Sequence, residues 1–62
     1  MAIHDLAQIA KDGKVSAVCY DDEEGIFIIQ HEFIQIALDK REFEAFLETL
    51  TRAKERFKEL KL

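Results

Sequence analysis

The sequence predicts an α+β fold: a short N-terminal helix, a three-stranded antiparallel meander, and a long C-terminal amphipathic helix packed on the sheet. Two observations carry that prediction. Stretches rich in Val, Ile, Phe and Tyr between Lys14 and Leu38 are punctuated by polar turns, and from Asp39 onward the apolar period changes from two to 3.6. The chain of 62 residues is one domain, 1–62, since a second core could not form in so short a length.

The first segment, Ala2 to Asp12, sets Ile3, Leu6, Ala7 and Ala10 at helical spacing and ends at Gly13, where a left-handed C-cap belongs. Asp12-Gly13 is also a strong hairpin signal. Against it stands the recurrence of Ile3, Leu6 and Ile9 at every third position, which no alternating strand face collects, so a helix is expected here. Lys14 to Tyr20 reads as a strand, closed by the polar run Asp21-Asp22-Glu23-Glu24-Gly25. Two further strands, Ile26 to Gln30 and Phe33 to Leu38, are expected on either side of a turn at His31-Glu32. A single strand across both would reach about thirteen residues, beyond the usual three to ten.

Asp39 is a good N-cap, and Glu42 three residues on makes an arrangement close to a capping box. Phe43, Phe46, Leu47, Leu50, Ala53, Phe57 and Leu60 then form one stripe with no Gly or Pro to interrupt it. Glu42 and Glu44 near the start, with Lys58 and Lys61 near the end, match the helix dipole. Glu48 and Arg52 stand at i,i+4.

Composition bounds the function. Apolar residues make up 48% and charged residues 35% of the chain, as in a folded globular protein. A chain of this size hides only about 60% of the surface its unfolded form exposes, so small proteins usually add disulfides, a metal or a partner subunit. Cys19 is the only cysteine, so no disulfide forms within one copy. His4, Cys19 and His31 lack the short paired spacings of structural zinc sites, and neither metal nor cofactor is expected. Self-association remains. A net charge of -4 argues against general nucleic-acid binding, although residues 1–50 carry -7 and residues 51–62 carry +3. No apolar run exceeds the four residues of Ile26 to Ile29, too short to cross a bilayer, and a cytoplasmic location is expected.

The helix sharpens the expectation of a homodimer. From Lys40 to Lys61 it would reach roughly 33 Å, against about 20 Å for a strand of six residues. Phe43 to Leu50 are expected on the chain's own sheet, leaving Phe57 and Leu60 for something beyond it. Phe43, Leu50 and Phe57 are spaced by seven, as are Phe46, Ala53 and Leu60, so the stripe also suits a partner helix. In Ile26-Phe27-Ile28-Ile29 both alternating faces are apolar, as in a strand covered on two sides. The expected protein interface is therefore Phe27, Ile29, Phe46, Ala53, Phe57 and Leu60.

No residue cluster names a reaction. Cys19 reads as a small hydrophobe, because no cation adjoins it in sequence to activate a thiolate. His31 and Glu32, as neighbours on a strand, would point to opposite faces. The acidic run fails the spacing of a calcium loop, since the sixth position counted from Asp21 is Ile26 rather than Gly. Arg52, Lys54, Arg56, Lys58 and Lys61 are interleaved with Glu55 and Glu59, as on a solvated helix end. The expected function is a small interaction or regulatory protein, not an enzyme. The alternative is an acidic mimic of nucleic acid, built on Asp21 to Glu24, or a weak nucleic-acid-binding module that uses the basic tail.

Overall fold

In a computed structural model, which describes residues 2–61, the order of elements is β1 (Ile3–Lys11), β2 (Lys14–Asp21), β3 (Ile26–His31), β4 (Ile34–Leu38) and α1 (Lys40–Glu59). The four strands form one antiparallel sheet in the order β1-β2-β3-β4. The α+β class and the C-terminal helix hold, but the expected N-terminal helix is a strand and the meander has a fourth member.

Two local features explain that correction. Asp12 and Gly13 have φ of 55° and 75°, the pair of positive values that a two-residue primed turn requires, so Lys11 faces Lys14 and a hairpin forms. Within β1 a bulge between Asp5 and Ala7 inserts Leu6 as an extra residue. The bulge resets the alternation, which is why Ile3, Leu6 and Ile9 recur at three while belonging to a strand.

The acidic run is a turn held by its first member. The Asp21 carboxylate accepts from the backbone N–H groups of Glu23 at 3.0 Å and Glu24 at 3.3 Å, and the Gly25 N–H donates to the Asp21 carbonyl at 2.8 Å. Gly25 sits at φ 69°, where a side chain would be strained. The β3–β4 turn is centred one residue later than expected, on Glu32-Phe33, with Glu32 at φ 55°.

Pairing and alternation sort the side chains into two faces. On one, His4, Tyr20, Phe27 and Leu38 lie across the four strands, followed by Ala7, Val18, Ile29 and Ile36, then Ile9, Ser16, His31 and Ile34. The helix packs on this face, and only against β3 and β4. The opposite face carries Ala17, Cys19, Ile26 and Ile28 among polar neighbours such as Asp5, Gln8 and Gln30, and among the described residues no element covers it. Among the described residues none is buried, and the half-buried ones gather on β2, β3, the end of β4 and the first two turns of α1. Among the described residues no helix is long and apolar enough to cross a membrane.

Candidate interaction surface

The helix begins where the sequence places it. The Asp39 carboxylate accepts from the Glu42 N–H at 2.8 Å, the Glu42 carboxylate accepts from the Asp39 N–H at 3.0 Å, and the Phe43 N–H donates to the Asp39 carbonyl at 2.8 Å. This reciprocal cap sets the direction in which α1 leaves β4 and brings Phe43 over the sheet. There its ring stacks on Phe27 with centroids 4.1 Å apart and planes within 5° of parallel. Phe27 in turn meets Tyr20 at 4.7 Å, and Tyr20 stands 6.4 Å from the His4 ring, so an aromatic row runs from β1 to the helix.

Beyond that anchor the stripe is bare. Phe43 and Phe46 are half-buried, but Leu47 and Leu50 keep 53% and 51% of their surface exposed, Phe57 64% and Leu60 48%. The expectation that Leu47 and Leu50 pack on the chain's own sheet is corrected: the helix contacts only β3 and β4, its half-buried residues end at Phe46, and Leu47 and Leu50 stay about half exposed. Ala53 is exposed as well, while Phe27 and Ile29 are half-buried on the helix-facing side of β3. Of the six residues expected at an interface, the fold brings Phe27 and Phe46 near the helix anchor. Ile29 lies further down the open face, and Ala53, Phe57 and Leu60 lie on the overhang.

The part of the sheet that α1 does not reach has its own apolar depression, lined by Ala7, Ile9, Ser16, Val18, Ile29 and His31 among others. Inside it the Ser16 Oγ and His31 Nδ1 are 2.6 Å apart, bonded across the β2–β3 pair. Sequence reasoning missed this contact; the signal for it was the register, since a turn spanning Asp22 to Gly25 pairs Asp21 with Ile26 and, five pairs on, Ser16 with His31. A nucleophilic serine needs its histidine oriented by a third group, and among the described residues no carboxylate bonds the other ring nitrogen.

At the far corner of the sheet, the His4 Nε2 donates to the Asp22 carboxylate at 2.7 Å, and the Ala2 N–H donates to its other oxygen at 2.9 Å. The bond from His4, and then that from Ala2, holds the Asp22 carboxyl below its ordinary value. Both partners are exposed, and the arrangement closes the open end of the β1–β2 hairpin, where the Asp22 N–H also donates to the Ala2 carbonyl at 3.1 Å. Cys19 lies half-buried between Asp5 and Ile28 on the other face. Among the described residues no three His, Cys, Asp or Glu side chains converge as a metal site. On the helix the Arg52 guanidinium bonds Glu48 at 2.8 Å, so one of the basic residues is already engaged.

The architecture is thus a four-stranded antiparallel meander with one helix that overhangs it. Comparison with family models, with curated proteins and with solved structures gives no match.

Proposed function

We propose that this chain is a small, non-catalytic interaction or regulatory protein that acts as a homodimer. The observation that carries the reading is the surface the single copy leaves open. Its accessible area is 5577 Å², whereas a compact monomer of 7.2 kDa is expected to expose about 4,100 Å². The excess, roughly 1,400 Å² for one copy, falls in the range that obligate homodimers hide per subunit. The radius of gyration agrees: 13.6 Å is observed, against about 10.6 Å for a compact chain of this length.

The exposed area is apolar where it matters. Leu47, Leu50 and Phe57 on the helix, Leu60 at its C-cap, and Ile9 and Ile34 on the sheet are each about half or more exposed, and apolar side chains gathered along one stripe mark an interaction site. With so little of the chain shielded, a second copy supplies the missing core. The lone half-buried cysteine suits a reducing, cytoplasmic setting. Asp21 and Asp22, the first half of the acidic run, are engaged in holding the fold together, which favours a structural role for that turn over mimicry of nucleic acid.

The experiment is the solution mass by light scattering across a dilution series, on the native chain and on Phe57→Glu with Leu60→Glu. The native chain is expected near twice 7.2 kDa, and the double variant is expected to dissociate or unfold at the same concentrations. A native chain that stays folded at the monomer mass throughout the series refutes the reading.

A further inference from the structure

Resting on the homodimer reading, we propose that the two copies join along β4, edge to edge and antiparallel with Ile36 opposite Ile36. This makes an eight-stranded sheet in which the helix of each copy roofs the open face of the other. The two edges of the sheet differ in a way that singles out β4. β1 is blunted by its bulge at Leu6 and by Asp5 and Lys11, devices that keep an edge from pairing. β4, Ile34-Gln35-Ile36-Ala37-Leu38, has no charge, no proline and no bulge. Its outer row of N–H and C=O groups is a template for another strand.

β4 is also self-complementary. Antiparallel pairing about Ile36 sets Ile34 opposite Leu38 and Gln35 opposite Ala37, so apolar meets apolar on the helix-bearing face. A two-fold axis through such a seam keeps like faces together. It also brings the Leu38 end of one strand, where α1 begins, beside the Ile34 end of the other, which its own helix leaves bare. Ile34 is 60% exposed and Ile9, across the sheet on the same side, 64%.

The lengths agree with this exchange. Strands lie about 4.8 Å apart, so the second copy's β2 and β1 lie roughly 14 to 19 Å from the β4 at which α1 starts. Phe43 lies on Phe27 of β3, one strand in from β4, and at 1.5 Å per residue Leu50 and Phe57 stand about 10 and 21 Å further along the helix. A helix that runs on across the seam therefore carries Phe57 roughly 16 Å beyond β4, over the β2 and β1 that flank the depression formed by Ile9, Val18 and Ile29 of the second copy. The occupant is another copy of this chain because the strand matches itself and because the roughly 1,400 Å² excess per copy is what such an interface hides.

The test is an isotope-filtered NMR experiment on a dimer refolded from an equal mixture of labelled and unlabelled native chain. Ile34 and Leu38 are about 13 Å apart along one strand, so through-space contact between them arises only between copies. The expected result is cross-copy contact of Ile34 with Leu38 and of Phe57 with Ile9, together with outward β4 amides that exchange at least about tenfold more slowly than the outward amides of the free β1 edge. A dimer by light scattering without the Ile34–Leu38 contact overturns the β4 seam and leaves the homodimer standing. A monomer overturns both.

Discussion

Phe27 and Phe43 stack almost face to face, 4.1 Å between centroids and 5° from parallel, and this contact ties the start of the helix to β3. Beyond Phe46 every described residue of the helix is exposed. The direction of α1, and hence where its bare stripe points, rests on this stack together with the Asp39–Glu42 cap.

The stack is expected to show as a coupling energy. Aromatic pairs contribute about 0.5 to 1.5 kcal/mol beyond the area they hide. Phe27→Leu, Phe43→Leu and the double variant, unfolded in urea, are expected to give an interaction term in that range. A term near zero would mean the rings act only as greasy surface, with no share in orienting the helix.

Gly25 tests the β2–β3 turn. Its φ of 69° is reached at little strain by glycine alone, and a Cβ placed there meets no atom within 4 Å. Any effect of Gly25→Ala is therefore conformational rather than steric, and a loss of about 1 to 2 kcal/mol is expected by denaturant unfolding. Glu32→Gly, at another position of positive φ, is expected to move stability the opposite way, since it removes strain that glutamate now carries.

These elements also show where the sequence was legible. The helix could be read because its 3.6 period and its cap depend on residues within a few positions of one another, and both are present in the structure. β1 could not be read by the same means: the bulge at Leu6 gives a strand a threefold recurrence, and a local pattern cannot distinguish that from a helix. Had Asp12-Gly13 outweighed the recurrence, Lys11↔Lys14 would have set the register and revealed the edge strand. The apolar stripe of the candidate surface was visible residue by residue. Its point of departure from the sheet was not, because whether Leu47 and Leu50 are covered depends on how the helix is aimed, a property of the Phe27–Phe43 contact between distant segments. The Ser16–His31 and His4–Asp22 contacts likewise follow from register and not from any spacing along the chain.

The cap predicts a second loss. Removing an N-cap carboxylate typically costs about 1 kcal/mol, so Asp39→Ala is expected to lower stability by that amount. Because Asp39 and Glu42 bond each other's backbone reciprocally, Glu42→Ala added to it is expected to cost less than it does alone. If two-fold assembly depends on the aim of the helix, the same variants weaken it, which a dilution series by light scattering reads directly.

The last prediction concerns acid. The Asp22 carboxyl is held below its ordinary value of 3.8 by the bond from His4 and then by that from the Ala2 N–H. A carboxylate whose value is lower in the folded state than in the unfolded one stabilises the fold fully above the unfolded value. That contribution is lost as pH falls through the lower, folded value. Protonation removes the charge and turns one of the two oxygens that accept from Ala2 and His4 into a donor, so the open end of the first hairpin is expected to loosen on the acid side. Denaturant midpoints measured from about pH 5 down to pH 2 should fall more steeply for the native chain than for Asp22→Asn, which has no charge to lose over that window. His4→Ala, which removes the largest cause of the shift, is expected to lie between the two. Because the group is exposed, salt should narrow the differences. Curves for the native chain and Asp22→Asn that stay parallel through the whole range would mean that the pair forms without linking proton binding to folding.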